Sequence, residues 1–223
     1  KIDWYIEIGG GMGRCGVAST ERTVSIARQI DQAPYLHFMG LQCYHGSAQH
    51  YRLPNERQSA IAAVCAKAAE AKAAVEKAGI TVERITGAGT GSVMLEGSSS
   101  IFNEVQAGSY ILMDRDYAKN QRDASDLAFE HALFIKTAIL SHPTSNRAVV
   151  DAGLKASSVD SGMPAVWQRK DAIYRKASDE HGILDLTAES TIQLGDSIML
   201  IPGHCDPTVN LYDELICIRG NHV

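Results

Sequence analysis

Ile80-Thr81-Val82-Glu83-Arg84-Ile85-Thr86-Gly87-Ala88-Gly89-Thr90-Gly91-Ser92 is the stretch whose reading decides the fold. Thr81–Thr86 is rich in β-branched residues and reads as a strand, and it breaks at once into a glycine-rich turn. The pattern recurs upstream. Trp4–Ile8 reads as a strand ending in Gly9-Gly10-Gly11-Met12-Gly13, and Tyr35–Tyr44 reads as a second strand. Helical patterns lie between them. Thr20–Gln32 takes Thr20 as its N-cap and sets Val24, Ile26, Ala27 and Ile30 largely on one side. The alanine-rich Asn55–Lys77 reads as a close-packed helix closed by Gly79. Ser100–Val105 reads as a short helix and Tyr110–Met113 as a fourth strand. Strands alternating with helices imply a parallel sheet, with ligand-contacting loops at the C-terminal strand ends. Four such units make half of a (β/α)8 barrel.

From about Ala128 the texture changes. Ala132–Ile135, Arg147–Val150, Thr191–Leu194, Ser197–Leu200 and Leu215–Ile218 are short strand-like runs, and Gly195-Asp196 is a hairpin signal between two of them. The expected fold class is therefore α/β plus all-β. Residues 1–125 form the half-barrel and residues 126–223 form a β domain of sandwich or small-barrel type, with the polar stretch Tyr117–Asp126 as linker.

Composition excludes several roles. A net charge of −5 without a long basic block offers no footprint for nucleic acid. No apolar run reaches the roughly 20 residues of a membrane helix. Five scattered cysteines without a C-x-x-C pair point to a reducing compartment, here the cytoplasm, rather than to a disulfide frame. The sequence opens directly on Lys1-Ile2-Asp3-Trp4, a strand already under way, so the chain is expected to be part of a longer one.

Candidate chemistry sits in the turns. Gly89-Thr90-Gly91-Ser92 and Gly108-Ser109 could offer N–H groups and a hydroxyl to a phosphate, or be ligand-free tight turns. The P-loop lysine and the dinucleotide spacing are both missing, which disfavours a nucleotide. Arg14 lies in the first glycine loop, as an ion-pair partner or a binder of an anion or an aromatic nitrogen. Tyr44, His45, Gln49 and His50 cluster after the second strand. Near the C-terminus, Pro202-Gly203-His204-Cys205-Asp206-Pro207-Thr208 follows the apolar run Ile198–Ile201. On an extended segment His204 and Asp206 share one face. They are either a surface pair or the two protein ligands of a metal that keeps positions open for water and substrate.

In order along the chain, several stretches resemble one family. They are Gly13-Arg14-Cys15-Gly16-Val17, Tyr44-His45-Gly46-Ser47-Ala48-Gln49-His50, Gly89-Thr90-Gly91-Ser92, Gln106-Ala107-Gly108-Ser109-Tyr110, Val150-Asp151-Ala152-Gly153-Leu154-Lys155, Ser158-Val159-Asp160-Ser161-Gly162, Asp179-Glu180-His181-Gly182 and Pro202 through Asp213. The family is that of the D-threonine aldolases, 3-hydroxy-D-aspartate aldolases and metal-dependent D-serine dehydratases, enzymes with an alanine-racemase-type barrel and pyridoxal 5'-phosphate (PLP). The resemblance implies that Arg14 faces the cofactor's pyridine nitrogen and that Tyr44 lines its ring. It implies that Gly89, Thr90, Gly91, Gly108 and Ser109 hold its phosphate, and that His50 is the base for the substrate hydroxyl. It gives His204 and Asp206 to a divalent metal, and it implies a homodimer. The family's cofactor-bearing lysine matches nothing here, and Lys155 falls in the β-domain match.

The residue two places after the metal histidine separates the activities within that resemblance. The dehydratases carry His-x-Cys, a thiolate suited to zinc, whereas this chain has His204-Cys205-Asp206. A carboxylate suits manganese or magnesium better than zinc. The expectation is a lyase cleaving the Cα–Cβ bond of a D-3-hydroxy amino acid to glycine and an aldehyde. The alternative is a D-serine or D-threo-3-hydroxyaspartate dehydratase releasing a 2-keto acid and ammonia.

Overall fold

Local chemistry fixes each strand-to-helix step of the first half in the computed structural model of the chain, which describes residues 1–123, 126–220 and 222–223. Strand β1 (Ile2–Glu7) leads through the glycine loop to helix α1 (Thr20–Gln32). The N-cap is Ser19, not Thr20: Ser19 is extended, and its hydroxyl accepts from the Arg22 N–H at 3.2 Å, while Thr20 is already helical. Strand β2 (Leu36–Cys43) runs to α2 (Pro54–Lys77), where Pro54 occupies the first turn, whose N–H groups lack intrahelical partners. Helix α2 buries Arg57, Ile61, Val64, Ala68, Ala71 and Val75, a helical stripe on which the alanines allow close packing. Arg57 is tolerated inside because its guanidinium donates to the carbonyls of Tyr51, Arg52 and Gln121.

Strand β3 (Arg84–Gly87) is followed by the short helix α3 (Val93–Gly97) and then by β4 (Glu104–Val105). Two expectations fail here for identifiable reasons. Ser100–Val105 is not a helix, because Ser99 Oγ accepts from the N–H groups of Ile101 and Phe102 and turns the chain. Asn103 Oδ1 then takes the Ile85 N–H at 2.8 Å and steers the following residues into the sheet as β4. Tyr110–Met113 is not a strand either. Ser109–Ile111 is a 3-10 turn, Met113 has φ +52, and Asp114 caps α4 (Arg115–Ala118) by accepting the Tyr117 N–H.

The four strands form one parallel sheet in the order β1-β2-β3-β4, so consecutive strands are neighbours. Its core joins Ile6, Phe38, Leu41 and Ile85 to Ala27, Ile30, Val64 and Val75 of the helices.

The second half builds an antiparallel sheet from β5 (Ile135–Thr144), β6 (Arg147–Val150), β7 (Ala165–Val166), β8 (Ala172–Ala177), β9 (Gly182–Leu186) and β10 (Ser197–Ile201), ending in helix α5 (Cys205–Val209). Its order is β7-β10-β5-β6-β9-β8. Two compact units result, residues 1–110 with 119–128 and residues 111–118 with 129–223. Residues 124 and 125 of the expected linker lie outside the described residues, and its first two residues belong to α4.

Three strand expectations in this half also fail, and of the first, Ala132–Ile135, only Ile135 belongs to a strand, the start of β5. Thr191–Leu194 stays irregular because Gln193 N–H and Gly195 N–H are taken by Asp196 Oδ2 and the Ile139 carbonyl, and Leu194 is 67% exposed. Leu215–Ile218 finds no buried face, with Ile216 77% exposed. Leu184, by contrast, is fully buried at the centre of the sheet core with Val150, Tyr174 and Leu200. Leu184→Ala should therefore cost about 2–5 kcal/mol and Leu194→Ala about 0.5 kcal/mol or less in chemical denaturation. A comparable loss for both would place Leu194 in the core and contradict this assignment.

Candidate active site

The loops after β1, β2 and β3 meet at the C-terminal edge of the parallel sheet. A Cβ on Gly10 would strike the Tyr44 carbonyl, and one on Gly89 would lie 2.5 Å from Gln49 Oε1, so both loops approach as only glycine permits. Gln49 is the joint. Its Nε2 donates to Ser92 Oγ at 2.8 Å and to the His45 carbonyl at 3.2 Å, and its Oε1 accepts from the Gly91 N–H at 2.9 Å. Its own carbonyl accepts from Asn120 Nδ2, which Arg52 orients through Asn120 Oδ1.

Gly91 thus spends its N–H within the protein. The Thr90 hydroxyl does not: Thr90 Oγ1 is buried without a hydrogen-bond partner. Among the described residues, Thr86, Thr90 and Glu96, all between β3 and the end of α3, hold buried side-chain oxygens in that state. An orphaned hydroxyl in a glycine turn at a strand end fits an absent anion better than a finished packing arrangement. The turn therefore fits a phosphate.

The other cofactor candidates are distributed around this edge. Arg14 is exposed and lines a cleft of about 740 Å³ with Lys67 and Glu70 of α2, and Tyr44, Gly89, Thr90, Gly91, Gly108 and Ser109 do not line it. Tyr44 is half-buried beneath the Gly10 loop. Gly108 and Ser109 follow β4, the neighbour of β3, with Gly108 exposed and Ser109 buried. His50 closes the 3-10 turn Ser47–His50, exposed and one residue beyond Gln49. His45 is buried, and burial, aided by the charge of Lys67, lowers its pKa so that the ring stays neutral.

In the second unit His204 caps α5 in an extended conformation (φ −140, ψ 126). Asp206 does not continue that extension, as expected from sequence, but lies in the first turn of the helix. The fold still brings the pair together, with Nε2 of His204 3.4 Å from Asp206 Oδ2. Asp114, wholly buried, accepts the Cys205 N–H at 2.9 Å and anchors the helix start, and Cys205 points into the core. Gly203 passes so close to the Gly162 carbonyl that no side chain fits there, and the loop holding Asp160 is brought beside His204. Burial opposes a charge on His204, but the Asp160 hydrogen bond and the charges of Asp160, Asp114 and Asp206 outweigh it and raise the imidazole pKa. Burial likewise opposes a charge on Asp160, yet hydrogen bonds from His204, Ser158 and Ser161 hold its carboxyl down at about 2.

Among the described residues, no group of three or more His, Cys, Asp or Glu side chains converges as a metal cage. The pair His204 and Asp206 fits a divalent ion as two N/O donors that leave most positions to water and substrate. Sequence reading gave a role to these two but none to Asp160, Ser161 or Asp114, which lie 44 and 43 positions from His204 and 91 from Cys205 and approach only through the fold.

Residues 1–116 match the family described as "Alanine racemase, N-terminal domain". The chain belongs to this family. Beyond the alanine racemase N-terminal match, residues 132–218 match "Putative serine dehydratase domain". The chain is 43% identical over 227 residues to the 3-hydroxy-D-aspartate aldolase of Paracoccus denitrificans (strain Pd 1222), covering all of this chain and 58% of that protein. It is 40% identical over 228 residues to the D-threonine aldolase of Arthrobacter sp, covering all of this chain and 59% of the relative. The crystal structure of D-threonine aldolase from Filomicrobium marinum superposes with a TM-score of 0.95 at 41% identity, over 98% of this chain and 59% of that one. The chain thus spans a little under three fifths of the length of these relatives. Its fold is part of an alanine-racemase-type barrel together with a sheet domain.

Glu96 provides a test of the turn's support. It is fully buried, its Oε1 accepts from Ser92 Oγ at 3.0 Å, and burial pushes its carboxyl up to about 7 against the pull of that hydrogen bond. A folded-state pKa above the unfolded one means that folding takes up a proton between about pH 4.5 and 7, so stability falls as pH rises through that window. The loss should level off above pH 7 at roughly 3 kcal/mol. Glu96→Gln should flatten that slope in denaturation measured from pH 5 to 8. An unchanged slope would show that Glu96 is ionised in the fold.

Proposed function

We propose that the protein containing this chain is a PLP- and divalent-metal-dependent lyase that cleaves the Cα–Cβ bond of D-3-hydroxy amino acids, giving glycine and an aldehyde. The observation that carries this reading is the His204–Asp206 pair, an imidazole and a carboxylate 3.4 Å apart, with Asp160 on the imidazole's other nitrogen. Its support comes from the two aldolases at 40–43% identity across the whole chain. Manganese or magnesium suits this donor set.

Thr90, with Gly89, Gly108 and Ser109, would hold the phosphate, while Gly91, its N–H committed to Gln49, would shape the turn; Tyr44 would line the ring, and Arg14 would meet the pyridine nitrogen. Arginine only donates and keeps its proton, so that nitrogen would stay unprotonated. PLP, when bound, supplies an electron sink for the bond that breaks. His204 and Asp206 would hold the metal that makes the substrate hydroxyl more acidic, and His50 would accept its proton. D-Threonine and 3-hydroxy-D-aspartate are the substrates of choice. We read the working assembly as a homodimer and its place as the cytoplasm; among the described residues no helix is long and apolar enough to cross a membrane.

The protein expressed from its complete coding sequence, supplied with PLP and Mn²⁺, should release glycine from one or both substrates and stop when EDTA is added. Ammonia and a 2-keto acid in place of glycine would make it a dehydratase. His50→Gln should lower kcat by roughly 10²- to 10⁴-fold with little change in KM. A variant as fast as the parent would remove His50 from the role of base.

A further inference from the structure

We propose that Asp160 is a positioning residue that fixes the tautomer of His204 and aims Nε2 at the metal position, an inference that rests on the metal reading above. Asp160 Oδ2 lies 2.7 Å from His204 Nδ1. Ser161 Oγ touches both partners, at 3.2 Å from Nδ1 and 3.0 Å from Asp160 Oδ2. Ser158 Oγ donates to Asp160 Oδ1 at 2.7 Å.

A carboxylate only accepts, so the ring nitrogen facing Asp160 carries the hydrogen. A neutral imidazole has one N–H, and Nε2 is then left with its lone pair. That nitrogen lies 3.4 Å from Asp206 Oδ2, close enough for the imidazole and the carboxylate to share one positive charge, a proton on the charged ring or a metal ion on the neutral one. Carboxylates placed behind ligating imidazoles orient the ring and raise its basicity, and their loss typically costs 10- to 100-fold in metal affinity.

The loop carrying Asp160 is braced independently of that carboxylate. The Ser158 N–H donates to Thr208 Oγ1 at 3.2 Å, and the Gly162 N–H donates to the Val159 carbonyl at 3.1 Å. Asp160 itself is exposed, so its replacement should leave the fold intact.

The test uses the full-length protein loaded with PLP, with free Mn²⁺ followed by electron paramagnetic resonance during titration. Asp160→Ala should raise the Mn²⁺ dissociation constant about 10- to 100-fold. Asp160→Asn, whose amide oxygen can still accept from Nδ1–H, should raise it less, and in both the PLP absorbance should stay unchanged. In metal-free protein held at a pH high enough to deprotonate the ring, ¹⁵N shifts of His204 should report the Nδ1–H tautomer in the parent and a mixture in Asp160→Ala. If Asp160→Ala binds Mn²⁺ as the parent does while His204→Ala has lost it, the role of Asp160 is overturned and the metal reading stands. If His204→Ala also binds as the parent does, the metal reading falls and this inference with it.

Discussion

The side-chain amide of Gln49 lies between two loops with both of its polar ends committed. Nε2 reaches Ser92 and the His45 carbonyl, and Oε1 takes the Gly91 N–H. A buried amide has few arrangements that satisfy all its groups, and this one requires the turn after β3 and the loop after β2 to hold a fixed distance. Gly89 must lack a side chain for the approach to occur. The clamp then decides which donors of the turn remain for a ligand. Gly91 is used up, and the Thr90 hydroxyl is left facing nothing the protein supplies.

Electrostatics follow from the same arrangement. Behind the clamp, Ser92 connects Gln49 to Glu96, and a carboxylate buried there without a cation would repel any phosphate bound at the turn. Burial keeps Glu96 largely protonated up to near neutral pH, so the network is compatible with an anion at its front. The second unit follows the opposite logic. The charges of Asp160, Asp114 and Asp206 act on His204 and favour positive charge there. Under the proposed lyase reading, the first unit would take the anionic cofactor and the second the cation.

Much of this was legible in the sequence. Helix α1 runs over the residues its periodicity indicates, and the βα order follows from glycine turns placed after β-branched runs. The elements misread were short and decided by single side chains. Ser99 and Asn103 turned an expected helix into a turn and a strand, and Asp114 with a left-handed Met113 replaced an expected strand by a capped helix. Leu215–Ile218 has the composition of a strand but no sheet to bury it. In the site, the ligand candidates His204 and Asp206 lie two residues apart and were visible as a motif. Their supports were not, because Asp160 and Asp114 approach from distant segments that only the fold brings near. The alternation in Gly182–Leu186, buried at every second residue, was present in the sequence and overlooked beside stronger apolar runs.

The most direct measurement is a crystal structure of the complete protein grown with PLP and Mn²⁺, with data collected at the manganese absorption edge. The account predicts an anomalous peak bonded to Nε2 of His204 and to Asp206, Asp160 still on Nδ1, and a phosphate group accepting from the Thr90 hydroxyl. An anomalous peak away from His204, or a phosphate bound elsewhere while Thr90 stays without a partner, would contradict it.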